Sequence, residues 1–164
     1  MKTCKTPSLD EQNFTEHERT EKGALAPAAA SVLMKILYMA RCCRFDLLFL
    51  VCALAREITK WTIGCDRQLH RLVCYLNTTK DWNLESFIGD SVESLNIVMY
   101  CDANFGGDYN DSKSTSGAVM ALVGPNSFAP ISAMCKKQSV VSHSSTEAEI
   151  VSLDVALRNE GLPI

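Results

Sequence analysis

Leu95-Asn96-Ile97-Val98-Met99-Tyr100-Cys101 runs directly into Asp102-Ala103-Asn104. The first seven positions carry no charge and are rich in β-branched and aromatic side chains, so residues 95–101 read as a strand. Asp102 then stands where that strand runs out and its side chain meets solvent or a ligand. Residues 117–123 are a second short apolar run, and residues 130–135 a third. Between the last two lies Gly124-Pro125-Asn126, a turn signal that folds one run back on the other. The expectation is a three-stranded antiparallel meander.

A helix follows. Ser144 with Glu147 three residues later has the form of a capping box, in which each side chain satisfies a backbone N–H of the other residue. Gly161 and Pro163 are expected to stop that helix. Upstream of Asn83 the pattern is helical. Ser31 is a plausible cap for a helix carrying Leu33, Ile36, Leu37 and Ala40, and residues 41–44 interrupt it. A second helix is expected over about residues 46–58, apolar almost all round. A third starts near Asp66 and places Leu69, Leu72, Val73 and Leu76 on one face. Residues 1–23 carry many charges and few large apolar side chains, and read as a disordered arm.

Bulk properties set limits on function. The chain has 164 residues, of which 47% are hydrophobic, enough for one core. A formal net charge of -3 argues against a dedicated nucleic-acid binder, which needs a clustered basic surface. The 8 cysteines include Cys42, Cys43, Cys52 and Cys74 inside apolar helical runs, and read as reduced, buried thiols. No C-x-x-C occurs, and the other gaps fit no zinc template. The first residues lack the apolar stretch of a secretory signal, so the expected location is intracellular, cytoplasmic or nuclear, and not secreted. The longest apolar run, residues 47–55, falls short of the roughly 20 residues that span a bilayer, so no membrane partner is expected.

Two carboxylates are candidates for chemistry. One is Asp102. The other lies in Ser145-Thr146-Glu147-Ala148-Glu149, whose glutamates point about 200° apart on a helix and cannot share a ligand. Glu147 is occupied in the cap, whereas Glu149 leads the stripe of Leu153, Ala156 and Leu157, at the edge of the face expected to pack on the sheet. Glu149 is therefore the choice. Lys136 and Lys137 are candidates for phosphate contacts that position a duplex without reading it, or else form a solvated strand end. His70 and His143 are candidate bases, with a structural role as the alternative.

Taken together, Tyr100-Cys101-Asp102-Ala103-Asn104-Phe105-Gly106-Gly107-Asp108, Lys113-Ser114-Thr115-Ser116-Gly117, Pro130-Ile131-Ser132, Lys136-Lys137-Gln138 and Ser144-Ser145-Thr146-Glu147-Ala148-Glu149 resemble the ribonuclease H signature of copia-type retrotransposon polyproteins. Upstream, Tyr38-Met39-Ala40, Arg44-Phe45-Asp46, His70, Tyr75-Leu76 and Thr79-Lys80-Asp81 resemble the segment that joins reverse transcriptase to ribonuclease H in them. The polymerase Tyr-x-Asp-Asp motif is absent. Departures include Asn104 in place of the second aspartate of a Ser-Asp-Ala-Asp block, and Ala133 in place of the Trp after Ile-Ser.

The resemblance implies an α+β chain: N-terminal helices, then a partial ribonuclease H-like fold of three antiparallel strands and one helix, truncated at the C-terminus. Its parts would be an arm over 1–23, a helical connection region over 24–82 and the partial nuclease domain over 83–164. It implies metal-dependent hydrolysis of the RNA strand of an RNA–DNA hybrid, with two Mg2+ ions and with Asp102 and Glu149 as first aspartate and helix glutamate. Two carboxylates about 4 Å apart repel by about 4 kcal/mol at an effective dielectric of 20, so a divalent cation is what keeps both ionised. The family's third and fourth catalytic carboxylates lie beyond this helix, and residues 1–164 hold neither, so the chain is expected to be inactive alone. The partners implied are the hybrid and the remaining polyprotein segments. The alternative is a noncatalytic remnant that binds a partner or itself, through the early helices and an unpaired sheet edge.

Overall fold

A computed structural model of the chain describes residues 3–108 and 111–162. It is α+β, with helices first and a three-stranded antiparallel sheet after them. The chain divides into two compact units, Met1–Asn83 and Leu84–Ile164.

The first unit contains α1 (Glu16–Thr20), α2 (Ala26–Cys42), α3 (Leu48–Arg56) and α4 (Ile63–Thr78). Its core is built from Leu33 and Ile36 of α2, Leu47 and Val51 before and in α3, and Leu69 and Leu72 of α4, all buried. The buried row of α4 also takes in Gln68 and Tyr75, while Val73 and Leu76 are half-exposed. Helix α2 begins five residues ahead of Ser31, with Pro27 in its first turn, so Ser31 is an exposed interior residue and not a cap. Its start is held from a distance. The Asp66 carboxylate accepts from the backbone N–H of Ala24 (2.6 Å) and Leu25 (3.2 Å) and from the Trp61 indole N–H (2.6 Å). The cysteines differ from expectation: Cys42 and Cys43 are exposed and Cys52 is intermediate, while Cys4, Cys65 and Cys74 are buried.

The segment read as a disordered arm is built into this unit. Thr15 caps α1 in a reciprocal box with Glu18. The peptide group of Leu9 forms paired hydrogen bonds with the Gln68 side-chain amide (2.8 and 2.9 Å), and Arg71 donates to the Thr6 carbonyl at 3.0 Å. Glu18 pairs with Arg67, and Cys4 is buried. Gly23 sits where a Cβ would fall 2.5 Å from the Thr62 carbonyl oxygen, so only glycine permits the approach that bridges Lys22 to Thr62. Composition misjudges the arm because polar contacts to α4, more than apolar burial, hold it.

The second unit is the sheet β1 (Asn96–Asn104), β2 (Thr115–Gly124) and β3 (Ser127–Lys137), in the order β1-β2-β3, followed by α5 (Ser145–Ala156). Each strand extends beyond its apolar run because the antiparallel ladder continues through polar positions at its ends. The hairpin turns at Pro125 and Asn126. There the Asp90 carboxylate accepts from the Asn126 N–H (2.8 Å) and the Ser127 hydroxyl (2.5 Å). Pro130 is tolerated because β3 is an edge strand and its register shifts opposite Met120 and Ala121.

Ser144 caps α5 by accepting from the Glu147 N–H at 3.1 Å, but the expected reciprocal bond is displaced. The Glu147 carboxylate accepts from the His143 N–H (2.7 Å), one residue before the cap. The helix ends in a wide turn over Leu157–Gly161, closed by the Leu162 N–H on the Leu157 carbonyl (2.8 Å). Pro163 lies outside the described residues. Among the described residues no helix is long and apolar enough to cross a membrane.

Candidate active site

Helix α5 lies on β1 and β2 through Ala148, Ser152 and Ala156, each with no exposed surface, so the packed stripe consists of small side chains. Leu153 and Leu157, expected on that face, are about half exposed. Small residues let the helix come close enough for polar fastening. The Ser152 hydroxyl donates to the Asp102 carbonyl at 2.7 Å. Near the start of the helix, the Gln138 amide donates to the Ala148 carbonyl (2.9 Å) and the Ser116 hydroxyl (3.1 Å), and Ser142 donates to Gln138 at 3.2 Å. Gln138, Ser116 and Ser152 are all buried. These polar core residues are what positions the site. Their one sequence signal is Ser152 interrupting an alanine row at i, i+4 and i+8.

Asp102 lies inside β1, two residues before its end, paired with Gly117. The glycine leaves it without a neighbouring side chain on β2. Glu149, in the second turn of α5, raises the Cys101 thiol pKa together with burial, which is the larger cause. Helix α5 packs on β1, and the charge of Glu149 bears on Cys101, the residue adjoining Asp102. Successive strand side chains point to opposite faces, so Asp102 projects away from the face on which Glu149 meets Cys101. The two carboxylates flank the edge of β1 from opposite sides of the sheet. Both are exposed, and neither side chain has a hydrogen-bond or ion-pair partner among the described residues. Asp46, Asp66, Asp90 and Glu18 are by contrast committed to structure.

As donors, two uncommitted carboxylates suit a hard cation such as magnesium. Among the described residues no three His, Cys, Asp or Glu side chains come together to hold a metal ion.

The remaining candidates separate. Lys137 forms ion pairs with Asp108 (2.5 Å) and Asp111 (2.9 Å). Burial acts to lower its pKa, but the two carboxylates outweigh burial and raise it. Its charge is thus spent on the β1–β2 loop and not offered to phosphate, whereas Lys136 is exposed. His70 is exposed, with its ring 3.8 Å from the Cys74 sulfur, and His143 is exposed beside the cap. Neither is placed against Asp102 or Glu149 by any hydrogen bond.

This chain is similar to a secreted effector. "Secreted RxLR effector protein 161" of Plasmopara viticola is 35% identical over 88 residues, covering 54% of this chain and 57% of that protein. The chain therefore spans a little over half the length of that relative. No protein-family model and no solved structure matches. The relative's description overturns the expectation of an intracellular, non-secreted chain. That expectation used the polar composition of the first residues, and the body of an exported protein is polar in the same way.

Replacing Glu149 by Gln is expected to lower the Cys101 pKa while leaving it above the ordinary thiol value, because burial persists. The pH profile of Cys101 alkylation, read by peptide mapping, checks this. An unchanged profile would place Glu149 elsewhere.

Proposed function

We propose that residues 83–164 are part of a ribonuclease H-like domain from a copia-type retrotransposon polyprotein, with residues 24–82 from the connection that precedes it. The family reaction is metal-dependent hydrolysis of the RNA strand of an RNA–DNA hybrid. The observation that carries this reading is the Ser152 bond to the Asp102 carbonyl. It holds α5 against the strand bearing one candidate carboxylate, and the charge of the other, Glu149, bears on the adjoining Cys101. Further support comes from the resembling blocks, which supply the fastening: Ser116, Gln138 and the Ser144 cap are all drawn from them. The upstream blocks likewise converge, with Arg44, Asp46, Tyr75 and Thr79 in one network.

In this reading Asp102 and Glu149 would hold magnesium, which would supply an activated water and stabilisation of the leaving oxygen. Lys136 is left for backbone contact with the hybrid. Residues 1–164 carry two of the four carboxylates that the family uses, so alone they bind metal weakly and cleave poorly. The similarity to a secreted effector gives a second reading some weight, a noncatalytic protein that retains the fold and binds a partner.

Two measurements test the nuclease reading. Manganese binding, followed by its paramagnetic signal, should be weak and should be lost in both Asp102→Asn and Glu149→Gln. Any magnesium-dependent cleavage of a labelled hybrid should vanish in the same variants. Binding that both substitutions leave intact, or cleavage that survives Asp102→Asn, would refute the assignment.

A further inference from the structure

Within residues 3–10 of the arm Cys4 alone is buried, at 5% exposed, and it stands between exposed Thr3 and Lys5. A second buried thiol lies where helical geometry does not predict one. The core side of α4 carries Cys65, Leu69 and Leu72, and Cys74 points about 180° from Cys65 and about 200° from Leu72, yet it is 1% exposed. Its cover must come from the outer side of the helix. Arg71 and Thr78, three residues before it and four after, share that side, and both bond to the arm. Arg71 donates to the Thr6 carbonyl at 3.0 Å and to the Thr6 hydroxyl at 2.9 Å, while the Cys4 N–H donates to the Thr78 hydroxyl at 3.2 Å. That hydroxyl donates in turn to the Cys74 carbonyl at 2.8 Å. The arm therefore crosses the Cys74 side of α4 between Thr78 and Arg71, with Cys4 as its buried residue at that level. The His70 ring lies on the same side, its nitrogens 3.9 and 3.8 Å from the Cys74 sulfur.

We propose that Cys4 and Cys74, both thiols in this structure, form a thiol–disulfide site that locks the arm onto α4 when oxidised by a small disulfide of the glutathione class, and releases it on reduction. A bridge needs Cα atoms no more than about 7 Å apart, and only one helical turn, about 5.4 Å, separates Cys74 from the Thr78 that holds the Cys4 backbone. Both sulfurs are covered, so reaction begins when the arm lifts. Its bonds from Arg71 are exposed and open locally without unfolding the core. The Cys4 thiolate then attacks glutathione disulfide, forming a mixed disulfide and releasing one glutathione. On redocking, Cys74 gives its proton to His70 and attacks the Cys4 sulfur. The Cys4–Cys74 bond forms as the bond to the second glutathione breaks, and that glutathione leaves with the proton. Two thiols are oxidised and one glutathione disulfide is reduced to two glutathiones. The ring so closed takes in most of the helical unit, which limits the freedom of its unfolded chain. The proposal does not depend on the nuclease reading.

The full chain, treated with glutathione disulfide under native conditions and digested with trypsin without reduction, is expected to yield residues 3–5 linked to residues 72–80. Exposed Cys42 and Cys43 should carry glutathione or pair with each other, within residues 42–44. Hydrogen exchange reads the lock. The Leu9 N–H, bonded to the Gln68 side chain at 2.8 Å, should gain at least tenfold in protection on oxidation and lose it again in dithiothreitol. Cys4→Ser should show no such gain. His70→Asn should slow the conversion of the Cys4–glutathione adduct to the bridge while leaving its final yield unchanged. The crosslink and the exchange are read on the unmodified chain, so neither depends on a variant's folding. Cys4 or Cys74 recovered as a lasting glutathione adduct, as a thiol or in another pairing would overturn the proposal. A bridge that leaves Leu9 exchange unchanged would overturn the lock, and an unchanged rate in His70→Asn the part given to the imidazole.

Discussion

Replacing Asp46 by Ala is expected to destabilise the helical unit by about 3 kcal/mol, near the lower end of the cost of breaking a buried ion pair from one side. Asp46 accepts from the Arg44 Nε (2.9 Å) and Nη2 (2.8 Å) and from the Tyr75 hydroxyl (2.9 Å). Arg44 is buried, its guanidinium 5.6 Å from the Tyr75 ring centre and 5.9 Å from that of Trp82. Without Asp46 its charge keeps the Thr79 carbonyl and hydroxyl as acceptors, at 3.1 and 2.8 Å, and the Tyr75 hydroxyl, but no carboxylate. The lower end applies because the Asp46 side chain is itself 37% exposed, so water can reach the vacated position. Denaturant unfolding measures the loss. The double change Arg44→Met with Asp46→Leu should cost much less than Asp46→Ala, because both charges leave together.

The same pair has a pH signature. Burial acts to raise the Asp46 pKa, but hydrogen bonds from Arg44 and Tyr75 outweigh it and hold the carboxyl below its ordinary value. A depressed folded-state pKa contributes stability above the unfolded value, about 4, and that contribution is lost as pH falls through the folded one. Acid should therefore narrow the gap between the native chain and Asp46→Ala. A gap that stays constant to low pH would count against the ion pair.

How far the sequence foretells the structure depends on range. The strands, the turn at Gly124-Pro125-Asn126 and the Ser144 cap are local signals, and each appears in its place, although every strand runs past its apolar run and β1 takes in Asp102. Long-range polar contacts are not local. Nothing near Gln68 tells that its amide will hold Leu9, and nothing near Asp66 tells that it will cap a helix from a distance. The arm shows the cost of averaging. Its composition reads as disorder, yet Thr15-Glu16-His17-Glu18 has the capping-box spacing and closes reciprocally, whereas Ser144 and Glu147 close only half a box. At the candidate site Glu147 is engaged beside the cap as expected, but the stripe given as the reason for Glu149 is not the packed one. The packed row is Ala148, Ser152 and Ala156, because a helix this close to a sheet excludes leucine.

That exclusion sets the second large effect. Ala148→Leu is expected to destabilise the sheet unit by about 3 kcal/mol, at the upper end for overpacking a core. Ala148 has no exposed surface and lies on a sheet face that includes buried Ser116, Ala118 and Met120. A leucine fits only if α5 lifts away, and lifting also stretches the Gln138 bond to the Ala148 carbonyl and the Ser152 bond to the Asp102 carbonyl. Ser152→Ala, which removes one hydrogen bond without adding volume, should cost about 1 kcal/mol and gives the scale for that part. Lifting would also carry Glu149 away from Cys101, so Ala148→Leu should lower the Cys101 pKa in the direction expected of Glu149→Gln. Unfolding and thiol alkylation are read on one sample. A leucine tolerated at under about 1 kcal/mol, with Cys101 unchanged, would mean that α5 has room to repack without moving, and small side chains would then not be what fixes Glu149 beside β1.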